Sequence, residues 1–403
     1  MLFLAAMSCR DPVALDPGDR TDPTTTPSPT SGHDTPSPTT TGGGTTTAGY
    51  VWDLPDGFPL PVVPDDNPMS DAKVELGRHL FYDRRLSGNR TQSCADCHHQ
   101  ELAFTDGLVV PVGSTGEDGV RNAPSIANAG WFSTLTWVNP ILVTFEQQIP
   151  VPLFGQEPVE LGLGDDALDR WAELSTDPVY EPLFAAAWGD LPTEERVSNE
   201  TVVKSLATFI RSVVSGDSPY DRTVAGDPTA MSDSAKRGLA LFGGERLECT
   251  HCHGTFLFDN AVAWEGLAYP QHLFTNDGLY DVGDGAYPPA NPGLVAFTSD
   301  PSDSGKFRPP SLRNVALTAP YFHDGSAATL DDVLDSYERG GRLTEDGPWA
   351  GDGATNPYKN GLLKGFQLTD QERADVLAFL DALTDESLLT DPRYADPWPD
   401  ELP

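Results

Sequence analysis

Between Thr201 and Val214 the apolar residues Val202, Val203, Leu206, Phe209, Ile210 and Val213 recur every three to four positions. That spacing gathers them on one face of a helix. Shorter stretches with the same period start at Ser70, carrying Val74, Leu80 and Phe81, and at Ser232, leading through Leu239 to Phe242. Further on, Thr329 with Asp332 and Thr369 with Glu372 have the spacing of a reciprocal N-terminal cap. The first pair opens a helix through Tyr337, the second a last helix carrying Val376, Leu377, Leu380 and Leu383. Strand alternation is sparse. Residues 107–165 and 270–310 are rich in Gly, Pro, Asn and Asp and read as long loops, of the kind that are functional or mobile inside a domain. The pattern predicts a mostly α protein with long ordered loops and little strand.

A chain of 403 residues is long for one hydrophobic core, so two globular units plus tails are expected. Residues 10–49 are mostly Thr, Pro, Ser, Gly and Asp and have too little apolar surface to offset the entropy of ordering, which predicts a disordered tether. Globular composition begins at about Val51. The junction falls near Asp217–Pro228, dividing an N-terminal unit (50–222) from a C-terminal one (223–403).

Each unit contains one short motif of definite chemistry. Cys94-Ala-Asp-Cys97-His98 is answered by Cys249-Thr-His-Cys252-His253, and C-x-x-C-H is the attachment signature of a c-type haem. Two cysteines three residues apart lie about one helical turn from each other, so both reach the two vinyl groups of one porphyrin. The following histidine then lies under the iron as proximal ligand. A zinc ribbon would bring its two halves within roughly 15–20 residues, and a redox C-x-x-C needs no histidine after it. Two covalent haems are therefore expected, in two cytochrome c-like domains.

Four of the five cysteines are consumed in this way. The fifth, Cys9, follows the apolar run Leu2-Phe3-Leu4-Ala5-Ala6-Met7-Ser8, similar to a bacterial lipoprotein signal (residues 1–9) whose cysteine is acylated. An ordinary N-terminus is the alternative. Haem c attachment occurs outside the cytoplasm, so a periplasm-facing or cell-surface location is expected in either case. The formal charge of −36 argues against nucleic acid and anionic membrane surfaces as partners. Any membrane association would run through the lipid anchor.

Around the two motifs, several blocks resemble the bacterial di-haem cytochrome c peroxidase and MauG superfamily. They are Leu76-Gly-Arg-His-Leu-Phe-Tyr-Asp-Arg-Arg-Leu-Ser87, Arg121-Asn-Ala-Pro-Ser125, Phe307-Arg-Pro-Pro-Ser-Leu-Arg-Asn314 and Pro320-Tyr-Phe-His-Asp-Gly325. Within it, Trp137-Val-Asn-Pro140, Phe145-Glu-Gln-Gln148 and Pro158-Val-Glu-Leu-Gly162 look most like the MbnH branch. Those enzymes use hydrogen peroxide to form a high-valent di-haem state that oxidises a tryptophan of a partner protein, MbnP.

The resemblance implies a role for individual residues. Classical members hold the second iron by a methionine fourteen residues after the histidine of the Pro-Tyr-x-His-Asp-Gly block; counting from His323 gives Tyr337. All four methionines, at 1, 7, 69 and 231, precede the second haem motif. Tyr337 is thus the expected axial ligand, with a packed core tyrosine as the alternative. Thioether ligation raises an iron's potential, whereas a phenolate stabilises ferric and higher-valent iron. The loop Pro111–Gly116, where many members carry a second histidine over the first haem, has none. His99 is adjacent to the proximal ligand and His79 is distant, which leaves that face open to peroxide. By the same resemblance Glu160 is the distal acid, with Glu157 as a lesser candidate. Gln147 and Pro150 shape the pocket, and Trp137 relays charge between the haems. Asn128, with the carbonyls of Thr318 and Pro320, supplies an inter-haem calcium site.

Three functions follow. The first is a MauG-like enzyme that oxidises an aromatic residue of an MbnP-like partner. The alternative is a cytochrome c peroxidase drawing electrons from a small cytochrome or copper protein, which requires a high-potential second haem. The third is a pure electron carrier, which requires two six-coordinate low-spin haems.

Overall fold

The computed structural model describes residues 45–47 and 49–398. Cys9 and most of the expected tether lie outside them. Its last residues form a short antiparallel pair of strands, β1 (Thr45–Thr47) with β2 (Tyr50–Trp52). The rest is mostly helical. The N-terminal half holds α1 (Asp71–Phe81), α2 (Phe145–Gln148), α3 (Pro150–Phe154), α4 (Ala167–Leu174), α5 (Tyr180–Ala187) and α6 (Asn199–Ser212). Beyond it come α7 (Pro219–Val224), α8 (Asp233–Phe242), α9 (Val295–Thr298), α10 (Leu330–Arg339) and α11 (Asp370–Asp381). Strand is confined to three two-stranded pairs, the others being β3 (Thr275–Asn276) with β4 (Lys306–Phe307) and β5 (Leu343–Thr344) with β6 (Gly351–Asp352).

The long helices begin where the polar cap residues predict. Ser70, Ser232, Thr329 and Thr369 each accept a bond from the backbone N–H three residues on, which satisfies a donor that the helix itself leaves free. The exception is α6, which starts two residues before the expected Thr201. Its cap is Ser198, closed by the Thr201 hydroxyl where a Glu or Gln would have given the signal.

One packing device is used twice. Ahead of each haem motif a helix crosses a partner at a glycine: α1 meets α6 at Gly77, and α8 meets α11 at Gly238. A Cβ on Gly77 would sit 2.1 Å from the Ser205 carbonyl oxygen, and one on Gly238 would sit 1.9 Å from that of Asp375. Only a bare Cα lets the axes approach this closely. Around the first crossing Leu76, Leu80, Phe81, Leu206 and Phe209 are buried in one apolar cluster. Around the second, Ala235, Phe242, Val376, Phe379 and Leu380 are buried in another.

The chain's end does not stay with the second cluster. Leu388 and Tyr394 are buried in the first, although the sequence places 223–403 in one C-terminal unit. The Tyr394 hydroxyl donates to the Ser212 carbonyl (3.0 Å), Tyr82 donates to the Tyr394 carbonyl (2.6 Å), and Gln100 donates to the carbonyls of Leu388 (2.8 Å) and Asp391 (2.9 Å). These bonds fasten residues 388–395 over the N-terminal helices.

Replacing Gly77 or Gly238 by Ala forces backbone apart in a close-packed interior, a change that costs about 1–3 kcal/mol. Each variant is expected to melt at a lower temperature than wild type, measured by circular dichroism on the haem-loaded protein. Gly361→Ala, where an added Cβ meets nothing within 4 Å, is expected to leave the transition in place.

Candidate di-haem centre

Both cysteine pairs lie on single turns of tight helix, Cys94–Asp96 and Cys249–His251. In each the histidine N–H closes on the carbonyl of the first cysteine, His98 to Cys94 at 3.0 Å and His253 to Cys249 at 2.9 Å. The ring is then fixed from its other side. His98 Nδ1 lies 2.9 Å from the Phe104 carbonyl oxygen and His253 Nδ1 lies 2.8 Å from that of Phe258. A carbonyl only accepts, so Nδ1 carries the proton and Nε2 keeps its lone pair. Burial lowers the pKa of both rings, which keeps them neutral as iron ligands must be.

The four thiols are unpaired. Burial, the largest cause in each case, pushes Cys94, Cys97 and Cys249 up to about 12 and Cys252 to about 11. A bare metal ion requires thiolate, whereas a thioether to porphyrin does not. Among the described residues no three His, Cys, Asp or Glu side chains gather as a cage for a lone ion. The donor set fits haem c and not zinc.

Cys94, Cys97 and His98 open on a cavity of about 410 Å³, and His98 is its only histidine among the described residues. His79 lies in α1 with Nδ1 2.9 Å from the Glu75 carbonyl oxygen, and His99 does not line the cavity. Residues 158–161 also line it. Their backbone is held by the histidine-free loop 111–119: Ser114 N–H donates to the Glu160 carbonyl at 2.7 Å. A Cβ on Gly113 would sit 1.8 Å from the Val159 oxygen, so that contact also needs glycine. The Glu160 side chain lines the cavity. Glu160 is exposed on one side, but desolvation within the recess raises the pKa of its carboxyl, and its field in turn helps raise Cys94 and Cys97. Glu157, equally exposed, lines neither cavity.

Two expected wall residues are placed elsewhere. Gln147 is exposed: it caps α2, its side-chain oxygen accepting from the N–H groups of Val143 (3.1 Å) and Thr144 (3.3 Å). Pro150 does not line the cavity either. Gln148 and Pro152 do, and the Gln148 side-chain oxygen is buried without a partner.

Trp137 lines this cavity and a second, smaller one of about 60 Å³. Its indole N–H donates to the Asn122 carbonyl (2.8 Å), and its own carbonyl accepts from Arg308 N–H (2.8 Å). Arg308 lines both cavities and pairs with fully buried Asp259 at 2.9 Å. Sequence reasoning missed this pair, whose members are 49 residues apart.

The residues expected at a calcium site are not all brought together. Asn128 is fully buried, its amide spent on Ser215: Nδ2 donates to the carbonyl and Oδ1 accepts from the N–H, both at 2.9 Å. Asn122 lines the cavity together with Thr318, so the asparagine of the Arg121-Asn122 block, not Asn128, shares a space with Thr318.

Tyr337 projects from α10. Its phenol pKa lies well above the usual value through burial first, then the fields of Asp277, Cys252 and Cys249. Those last two contributions place the hydroxyl within electrostatic reach of both second-motif cysteines.

With this geometry in place, relatives can be compared. The family model for di-haem cytochrome c peroxidases (CCP_MauG) matches residues 71–229. The methylamine utilization protein MauG of Methylorubrum extorquens is 34% identical over 323 residues, 80% of this chain and 81% of that protein. This chain belongs to the MauG and di-haem cytochrome c peroxidase family. It is therefore a peroxidase-type di-haem oxidoreductase carrying two haem c groups. Cytochrome-c peroxidase IdrP1 of Pseudomonas sp. strain SCT is 35% identical over 352 residues, 83% of this chain and 87% of that protein. A crystal structure of a MauG-like protein associated with microbial copper homeostasis is 51% identical. It superposes with a TM-score of 0.85 over 87% of this chain and all of that one. The di-haem peroxidase BthA of Burkholderia thailandensis, at 22% identity and TM-score 0.60 over 81% of this chain and 87% of its own, shares the fold.

Removing the phenol tests the second ligand. Tyr337→Phe is expected to change the optical and electron paramagnetic resonance spectra of one haem and leave the other as in wild type. Unchanged spectra for both would exclude Tyr337 as a ligand.

Proposed function

We propose that the protein uses hydrogen peroxide to oxidise an aromatic residue, a tryptophan by likeness to its relatives, on an MbnP-like partner protein. The observation that carries this reading is Tyr337, a tyrosine at the position where the family resemblance expects the ligand and within electrostatic reach of Cys249 and Cys252, in a chain whose methionines all precede that motif. A phenol ligand makes the second haem a poor acceptor from a small cytochrome and a good store for oxidising equivalents. The likeness to a MauG-like protein associated with copper homeostasis favours the same branch. We assign the chain to two haem units meeting near residue 222, exported and held at the membrane through Cys9. No helix among the described residues is long and apolar enough to cross a membrane.

Haem c supplies the iron chemistry, the reduction of peroxide and the storage of charge. The chain's own residues do the rest. His98 and His253 would hold the two haem irons through Nε2, and Tyr337 would supply the other protein ligand of the second. Glu160 takes the proton from the inner peroxide oxygen and delivers it to the outer one, a transfer that needs a carboxylate in reach and is worth about 10²–10⁴-fold. Gln148 and Pro152 line the space beside it. Trp137, present in both cavities, passes electrons between the sites. Asn122, with the carbonyls of Thr318 and Pro320, would hold a calcium ion; such a cation, with few protein ligands and several waters, would fix the geometry between the two halves.

The partner test is direct. Co-expression with the protein encoded beside this one, followed by peroxide, is expected to add oxygen to one of that neighbour's tryptophans, read by peptide mass spectrometry. An unmodified neighbour together with rapid peroxide-driven oxidation of reduced cytochrome c would replace this reading with that of a cytochrome c peroxidase, the activity for which IdrP1 is named. Glu160→Gln is expected to slow the stopped-flow reaction of the first haem with peroxide by about 10²–10⁴-fold. In wild type only the carboxylate can accept the proton and its pKa is raised, so the rate is expected to fall on acidification at a pH above the ordinary value of 4.5. An equally fast variant would remove Glu160 from the reaction.

A further inference from the structure

Charge stored at the second site must leave through protein to reach another polypeptide, and one side chain is built for that step. Trp137 packs in an apolar cluster with Val138, Leu279, Tyr280, Tyr287 and Phe307. Tyr280 and Tyr287 meet edge to face at 5.6 Å. The Tyr280 hydroxyl donates to Asp324 Oδ2 at 2.7 Å. Beyond it Arg342 reaches to exposed Ser326, so the pair stands between the cluster and the surface.

An oxidised phenol is a strong acid. It passes an electron at neutral pH only where a base takes its proton at once, within about 2.6–3.2 Å. Hydrogen bonds to a backbone carbonyl or an amide provide no such base. Tyr82, Tyr321 and Tyr394 donate to carbonyls, and Tyr287 to the Asn276 side-chain oxygen. Among the described residues, phenol donates to carboxylate within that range at Tyr280 and at Tyr180, whose partner is Asp83 (2.7 Å); the Tyr287 hydroxyl lies 3.5 Å from Asp277 Oδ1, beyond it. Asp83 is already spent: both its oxygens accept from the Arg85 guanidinium at 3.0 Å, and Tyr180 belongs to the first apolar cluster, not to the one that holds Trp137. Asp324 is different. Burial raises its pKa, but the opposing fields and bonds of His323, Ser326, Tyr280 and Arg342 outweigh this and hold it below the usual value, so it is ionised. The Arg342 guanidinium lies 4.4 Å over the Tyr280 ring. It penalises a positively charged ring and leaves the neutral phenoxyl as the accessible product.

We infer that Tyr280 and Asp324 form a proton-coupled relay that carries oxidising equivalents from the di-haem centre towards a protein docked at the surface. In the outward step the Tyr280 phenol gives one electron to the oxidised di-haem centre and its proton to Asp324 Oδ2. In the return step the neutral phenoxyl takes one electron from the partner's aromatic residue and the proton back from the acid, so the pair ends unchanged. This deepens the reading of a protein substrate, and the test separates the two.

The holoenzyme is mixed with equimolar peroxide without partner, frozen, and examined by electron paramagnetic resonance. A neutral tyrosyl radical is expected. It is expected to persist in Tyr180→Phe and to be lost in Tyr280→Phe and in Asp324→Asn, with haem absorbance confirming that both haems remain in place. Placing 3-fluorotyrosine at position 280 keeps the fold and must change the hyperfine pattern if the spin is on that ring. A radical lost with Tyr280 supports the relay whether or not any partner is modified. A tyrosyl signal unchanged in Tyr280→Phe, an unaltered pattern with the fluorinated ring, or partner oxidation at the wild-type rate in Tyr280→Phe overturns it and leaves the proposed substrate intact.

Discussion

The centre depends on one hydrogen bond made twice, from histidine Nδ1 to the carbonyl of a phenylalanine five or six residues on. It sets the tautomer and the ring plane together, so that Nε2 alone faces the iron position. The acceptor must turn inwards, and both phenylalanines do so with left-handed backbones, φ 63° at Phe104 and 51° at Phe258, a region costly for residues with a Cβ. Packing holds them there. Phe104 is fully buried beside Phe81 and Tyr394, and Phe258 lies against Tyr220, Phe242 and Phe379. Each iron ligand is thus oriented by the apolar cluster of its own half, and the two glycine crossings that let those clusters close also govern ligand geometry.

Much of this was legible in the chain. The C-x-x-C-H motifs fix chemistry by spacing alone, and polar cap residues mark helix starts because they satisfy free N–H groups in a way that few other residues can. What stayed hidden has physical reasons. The shift from Gln147 to Gln148 turns on where a four-residue helix begins, and so short a helix has no apolar period to fix its phase. Asn128 and Asn122 are alike in sequence; they differ only in whether Ser215 or an open cavity lies opposite. Arg308 and Asp259, like Tyr280 and Asp324, are pairs made by topology, with no local signal. The return of residues 388–395 to the first cluster was equally silent, since a Tyr in a polar tail does not show what it will pack against.

The buried charges divide by purpose. Arg308 and Asp259 are both removed from water, an arrangement rarely stabilising by itself; here the Arg308 backbone also holds the Trp137 carbonyl, so the pair sets the position of the indole between the two cavities. Glu160 is the opposite case, a carboxylate in a recess with no cation beside it. Isolation raises its pKa, which suits a group that takes a proton and gives it up again within one reaction.

The acid surface completes the logic. Hydrogen peroxide is neutral and crosses a negative field without penalty, so a net charge of −36 costs the oxidant nothing. Anionic organic molecules are turned away before they reach the first cavity. A protein partner with a basic face is attracted, and that attraction weakens with salt because exposed charges are screened beyond about 8–10 Å at ordinary ionic strength. Selectivity between substrates can therefore reside at the surface, where charge sorts them, while the interior need only carry electrons inward through aromatic side chains. On the proposed function, this separation would let one chain keep a largely apolar haem cavity and still act on a molecule too large to enter it.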